Sequence, residues 1–304
     1  MSIYSLHEKG LIDVKVTDAT TTTSNITLAF AFDSGYSHCF KVMIASMAAN
    51  GVLCKNPIVI YTDDVTLEED PIIKLVADRI SLLSGEKRDL LYRLAKENVK
   101  RPERADWNRG TFLKWCVFEE QATEKLLFLD VDMLILDSLE GLVNAHPEKA
   151  LVTCPQFQQS IKTENTDASL QNLLIGNFDN KHKARINSGV MLINSEILNA
   201  KFFRELTTFA SERISIHEQG LLSEFFRDNK TLFGMAPSAY NFQDSYLRLA
   251  SDDVYKDILK QLSVLHYAGG VKPWLDTSKS IANLPSIKIW HEYKALASDI
   301  LTFK

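Results

Sequence analysis

Residues 125–136 read KLLFLDVDMLIL, an apolar run broken only by Asp130 and Asp132. A run this short and apolar predicts a buried strand. In an extended chain residues two apart project to the same side, so the spacing predicts two carboxylates together at the strand's end. Taking even one such charge out of water is costly without compensation. A hard cation with oxygen ligands would supply it and would keep positions open for phosphate oxygens. The plain alternative is a pair of loop acids facing water or a lysine, and for an isolated Asp-x-Asp that alternative prevails. The rest of the chain has to decide.

Upstream, strand patterns at residues 26–32, 57–61 and 80–83 alternate with helix patterns at 36–50, up to 76, 86–99 and 111–121. Gly51 follows the first helix, and Thr66 with Glu69 reads as a capping box for the second. The alternation predicts an α/β sandwich with a mainly parallel sheet. In such sheets ligands bind beyond the carboxyl ends of the strands, where Asp33 and Asp130 would both lie. Asp137-Ser-Leu-Glu140 is a second capping pattern, which gives Asp137 a structural part apart from the acid pair.

Downstream, residues 155–185 are polar and weakly patterned and read as a long loop or lid. ARINSGVMLINSEIL is a strand with polar ends, with Ser195 as a helix cap. Helices near 196–212 and 217–228 follow, then mixed β-like pieces over 231–250. A strand over 261–270 ends in Gly269 and Gly270, and the tail becomes helical. With no repeats or clear linker, the expected division is an N-terminal extension (1–25), one main domain (26–277) and a C-terminal helical tail (278–304).

The 304 residues suffice for a substantial core, and their formal charge of −5 argues against broad nucleic-acid binding. Cys39, Cys54, Cys116 and Cys154 show neither zinc-like spacing nor a disulfide framework. No segment reaches the roughly 18 apolar residues of a membrane span, and no signal core opens the chain. The expected location is cytoplasmic.

His266 precedes Gly269, Gly270 and Lys272. Glycines admit a bulky anion to the backbone, and lysine is a point-charge donor for phosphate. An imidazole with two carboxylates suits Mn²⁺ better than an all-oxygen set, with Mg²⁺ also accommodated. Asp33 and Tyr36 fit either a turn acid and a helix-start aromatic or a nucleobase site. Neither a dinucleotide fingerprint, a Walker A lysine nor a Gly-x-Ser-x-Gly elbow is present.

Six segments in order resemble retaining glycosyltransferases of family 8, the group that includes glycogenin and bacterial lipooligosaccharide galactosyltransferases. They are FAFDSGY (30–36), TFLKW (111–115), FLDVDMLIL (128–136), INSGVMLIN (186–194), HEQGLLSEFF (217–226) and HYAGGVKPW (266–274). The resemblance implies a GT-A fold, a Rossmann-like α/β/α sandwich. It implies Asp130, Asp132 and His266 around Mn²⁺, with Lys272 and the Gly269 backbone on the donor diphosphate. Ala31, Asp33, Tyr36 and the Val131 backbone would hold uridine. Asn187, Ser188 and Gln219 would border the transferred sugar, with Lys114 and Glu218 nearby. Glu218 stands where close relatives carry Asp, a methylene longer.

The implied reaction is metal-dependent transfer, with retention, of a hexose from UDP-glucose, UDP-galactose or UDP-GlcNAc to a hydroxyl of a glycan, glycolipid or protein. Tyr240 or Tyr246 would serve if the chain glycosylates itself. The rivals are a nucleotidyltransferase and a non-catalytic sugar-nucleotide binder. Basic and aromatic residues of the tail, including Lys288, Trp290, Tyr293 and Lys294, could rest on an anionic membrane. Glu292 and Asp299 dilute that charge, which favours a helix that covers the core.

Overall fold

The computed structural model describes residues 26–52, 56–97, 100, 103, 105–121, 123–157, 161, 165–178, 185–215, 217–275 and 278–300. The expected extension at residues 1–25 and Cys54 lie outside them.

Strand β1 (Ile26–Ala31) runs parallel to β2 (Ile58–Thr62) on one side and β4 (Lys125–Leu129) on the other. With β3 (Arg79–Leu82), β6 (Leu151–Pro155), β7 (Ile186–Asn194) and β8 (Phe233–Met235) they form a seven-stranded sheet ordered β3-β2-β1-β4-β7-β6-β8. The other pairings are parallel, but β7 runs against both β4 and β6. Side chains alternate across a strand, and here the alternation feeds two cores. Leu28, Phe30, Leu127 and Leu129 enter one. Ala29, Leu126 and Phe128 enter the other. Apolar strands buried on both faces are what a sheet with helices on each side requires.

The longer helices are α1 (Ser37–Ala49), α2 (Pro71–Val76), α3 (Gly85–Glu97), α4 (Ala105–Leu113), α5 (Thr166–Ile175), α6 (Ala200–Ser211), α7 (Glu218–Asp228), α8 (Asp252–Leu259) and α9 (Pro285–Ile300). Helix α1 fills the first core together with Ile287 and Trp290 of α9. Helices α3, α4, α6 and α7 cover the opposite face.

Several local expectations are corrected. Thr66 and Glu69 do not cap a helix; residues Val65–Glu69 form a 3-10 turn. Asp70 caps α2 instead, its Oδ1 accepting from the amides of Ile72 (2.9 Å) and Ile73 (3.2 Å). Pro71 follows because its missing N–H is no loss in a first helical turn. The stretch 155–185 contains α5, whose Leu170, Leu173 and Leu174 enter the core at helical spacing and which Gly176 ends at φ 84°. Asn199 rather than Ser195 caps α6, accepting from the Phe202 amide at 2.9 Å. The helix expected over 111–121 begins earlier, as α4, and tightens into a 3-10 segment over Lys114–Glu119.

The apolar run after Asp132 does not continue β4. It forms β5 (Met133–Ile135), which joins β10 (Val264–His266) and β9 (Phe242–Gln243) in a separate three-stranded sheet. The Ser46 hydroxyl of α1 receives the Ile135 amide at 3.0 Å and pins this sheet to the first core.

Helix α9 packs along α1, with Trp290 only 1% exposed and the Tyr293 hydroxyl 2.8 Å from the Asn50 amide nitrogen. Two of the aromatic groups considered for a membrane face are thus turned to protein. Among the described residues no helix is long and apolar enough to cross a membrane. Cys39, Cys116 and Cys154 are buried free thiols.

Candidate active site

Asp130, Val131 and Asp132 form the link between the two sheets. The Asp130 amide donates to the Gly189 carbonyl (2.8 Å), which extends the β4–β7 ladder. The Asp132 carbonyl accepts from the Tyr267 amide (2.9 Å), just beyond the β5–β10 ladder. Each acid is therefore anchored to a different sheet, and the pair sits at a seam, not along one strand.

Two lysines meet the two acids. Lys114 Nζ donates to Asp130 Oδ1 (2.8 Å) and Oδ2 (3.1 Å), and lies 3.5 Å from Glu218 Oε1. Lys272 Nζ donates to Asp132 Oδ2 (2.6 Å) and to the Tyr267 carbonyl (2.7 Å). His266 Nε2 lies 3.2 Å from Asp132 Oδ1. Its Nδ1 is 2.8 Å from Asn241 Oδ1. Asn241 Nδ2 donates to Asn187 Oδ1 (2.9 Å), which also accepts from the Gly189 amide (2.9 Å).

Gly189 makes the seam possible. A Cβ there would stand 2.8 Å from His266 Cε1, 2.8 Å from Met133 Cε and 3.0 Å from Asn187 Oδ1. Only a residue without a side chain lets the small sheet approach β7 this closely.

At the start of α7, Gln219 Oε1 accepts from the Ser188 amide (3.0 Å), and Glu218 Oε1 accepts from the Ser188 hydroxyl (2.6 Å). The electrostatics follow from this crowding. Burial raises the carboxyl of Asp130, with the charge of Asp132 acting in the same sense and Lys114 opposing. Burial also acts to raise Asp132, but His266 and Lys272 overcome it and hold the group well below the usual carboxylate range. For Glu218 the burial penalty is overcome by Lys114, His217 and Ser188, leaving its pKa at about 2. Burial disfavours the charge on Lys114, but Asp130 and Glu218 prevail and raise its pKa. Lys272 behaves likewise through Asp132.

The residues expected around a base lie beside this cluster. Ala31 ends β1. Asp33 Oδ1 accepts from the Gly35 amide (3.0 Å), a turn-capping bond, while Asp64 holds the Ser34 amide (2.9 Å). Tyr36 meets Trp274 edge-on at 6.3 Å, and Trp274 in turn lies against Trp290 at 5.6 Å. Val131 is buried. Gly269 takes φ 101°, and nothing is nearer than 4.0 Å to where its Cβ would be, leaving backbone open to a large anion. Asp137 accepts from the Ser138 amide (2.7 Å) but does not cap the short helix expected after it, Glu140–Val143, which follows Leu139 and has no side-chain cap. Tyr246 donates to the Phe157 carbonyl (3.2 Å), and the Tyr240 hydroxyl packs over Gly141.

Asn241, Asp64 and Gly189's packing part were not foreseen from the sequence. Asn241 sits in SAYNF, where nothing marks an asparagine as more than a turn residue. Gly189 lay within a recognised segment, and its position inside an apolar strand was the available signal of close approach.

Asp130, Asp132 and His266 each offer one ligand atom, and these atoms lie within 4.8 Å of one another. Two hard oxygens and one imidazole nitrogen suit a divalent cation such as Mn²⁺ or Mg²⁺. The residues present therefore fit such an ion.

The family described as Glycosyl transferase family 8 matches residues 27–278. A crystal structure of the galactosyltransferase LgtC with donor and acceptor sugar analogues superposes with TM-score 0.62 at 18% identity, covering 91% of this chain and 97% of that one. The glycosyltransferase GlyE of Streptococcus pneumoniae TIGR4 gives 0.59 at 18% identity, covering 90% of this chain and 62% of its own. Inositol phosphorylceramide glucuronosyltransferase 1 of Arabidopsis thaliana is 25% identical over 66% of this chain, which spans 36% of that relative's length.

Proposed function

The chain belongs to glycosyl transferase family 8 and is a glycosyltransferase of GT-A fold, and from that premise we propose the reaction it performs. It moves a hexosyl group, with retention, from a UDP-sugar (UDP-glucose, UDP-galactose or UDP-GlcNAc) to a hydroxyl of a glycan or glycolipid. The observation that carries this reading is the convergence of Asp130, Asp132 and His266 within 4.8 Å, with Lys272 bonded to one of the acids. A divalent cation held there would act as a Lewis acid on the charge of the departing diphosphate.

The chain's own groups supply the rest. Lys272, beside the open Gly269 backbone, is placed to donate to a phosphate oxygen. Ala31, Asp33, Tyr36 and the Val131 backbone would hold uridine. Gln219 has its carbonyl oxygen committed to Ser188, which leaves its N–H pair for a sugar hydroxyl. Asn187 and Ser188 border the same space.

Glu218 is a weak base at about 2, and its Oε1 is engaged by Ser188 and Lys114. An amide and a neutralised carboxylate make poor nucleophiles. This favours a same-face path: the bond from C1 to the phosphate oxygen breaks, the acceptor oxygen bonds C1, and the acceptor's proton passes to the departing phosphate.

The test is thermal stabilisation by UDP with and without Mn²⁺, followed by a UDP-sugar panel scored for UDP release. A ligand that binds only the folded state raises its apparent stability. Metal-dependent stabilisation and turnover of one sugar are expected; indifference to UDP with a response to another nucleotide would overturn the reading.

A further inference from the structure

Hydrogen positions on imidazole and amide groups follow from their partners, and here one partner has no freedom. A backbone N–H can only donate. The Gly189 amide donates to Asn187 at 2.9 Å, so the atom it meets is the carboxamide oxygen. That oxygen also faces Asn241 at 2.9 Å, so Asn241 presents its NH₂ there. The other end of Asn241 is then oxygen, 2.8 Å from His266 Nδ1. An oxygen acceptor at that distance requires a proton on Nδ1. Nε2 lies 3.2 Å from Asp132 Oδ1 and, with no cation between them, shares a proton with that carboxylate; a cation that took the place of this proton would meet a lone pair on Nε2, because the Nδ1 proton is already fixed.

We propose that Asn187 and Asn241 form a proton-ordering relay that keeps Nδ1 of His266 protonated, so that Nε2 is the nitrogen left to face Asp132 and a cation. All three relay side chains are buried, at 5% exposure for Asn187, 0% for Asn241 and 4% for His266, so bulk water does not compete for these bonds. Asn241 is thereby a positioning residue: it touches no reacting atom and acts through the histidine. Metal-ligating histidines commonly have their second nitrogen fixed in this way. The relay's purpose rests on the cation site proposed above, whereas the Nδ1 proton itself does not.

The lock also accounts for the way the two sheets are tied. Asn187 is on β7, and Asn241 and His266 belong to the small-sheet side. The relay crosses the seam that Gly189 leaves open, so the orientation of the imidazole is set from the large sheet.

The experiment uses full-length protein with ¹⁵N-labelled histidine, freed of metal and followed over a pH series. Nitrogen chemical shifts read the protonation of each ring nitrogen, with His266→Gln assigning the resonance among the seven histidines. Wild type should show a protonated Nδ1 throughout. Asn241→Leu should lose that fixed proton and bind Mn²⁺ about 10–100-fold more weakly, by electron paramagnetic resonance of the free ion. Asn187→Asp, whose carboxylate oxygen still accepts from Asn241, should keep the wild-type Nδ1 proton. A bare Nδ1 in the wild type, which needs no variant, overturns the relay. So does an unchanged Nδ1 proton in Asn241→Leu. A wild type with a protonated Nδ1 that fails to bind Mn²⁺ supports the relay and overturns the cation site instead.

Discussion

Replacing Gly189 by alanine asks how tightly the two sheets must meet. The new methyl would stand 2.8 Å from His266 Cε1, against an ordinary contact of at least 3.4 Å, so the ring must retreat by about 0.6 Å. Met133 Cε is equally close but ends a flexible side chain and can swing aside. The imidazole cannot, because the bond to Asn241 at 2.8 Å holds it. Overpacking costs about 1–3 kcal/mol, and stretching that bond adds about 1 kcal/mol. The expected loss of stability is therefore about 2–4 kcal/mol, read as a lower denaturant midpoint with an unchanged slope. Displacing a ligand nitrogen by that distance should also weaken Mn²⁺ binding by tenfold or more. A variant with the wild-type midpoint and the wild-type Mn²⁺ response would refute the claim that Gly189 sets the approach of the sheets.

Asp130→Asn and Asp132→Asn should each abolish metal-dependent stabilisation by UDP; retained dependence on Mn²⁺ in thermal melts would remove the cation site. Glu218 titrates at about 2 in the folded chain against a usual 4.5, so the stability it confers is complete above 4.5 and disappears as pH falls towards 2. The difference corresponds to about 3 kcal/mol at most, and Glu218→Gln should cost about 1–3 kcal/mol at pH 7 with the gap to wild type closing below pH 4.5. A gap that stays constant on acidification would contradict the assigned electrostatics. Trp290→Ala should destabilise the chain by about 3–5 kcal/mol in urea unfolding, because α9 is part of the core; a loss under 1 kcal/mol would show it to be an appendage.

The α/β alternation and the strand carrying Asp130 were legible because apolar runs of that length have few other uses. The acids, the histidine and the two lysines that meet at the seam were legible as types in a familiar order. What escaped was set by distant partners. Residues 133–136 look like more of the same strand, and only pairing with residues 264–266, far along the chain, shows that they leave the sheet. Helix α5 was hidden in polar surroundings although Leu170, Leu173 and Leu174 carried helical spacing. The capping pattern at Thr66 lost to Asp70 because the next residue is Pro71. Asn241 could not be singled out at all, since its importance lies in two bonds to residues 25 and 54 positions away.

The seam also dictates an order of events during synthesis. A chain that has emerged as far as β7 already holds β1, β2, β4, Lys114 and both acids, and its parallel strands can pair. It lacks His266 and Lys272, the two groups that hold Asp132 ionised, and it lacks the strands that receive β5. Long-range pairing of this kind forms late. The half-made protein therefore leaves Asp132 to solvent, and the acids and the histidine meet only when the last strand docks.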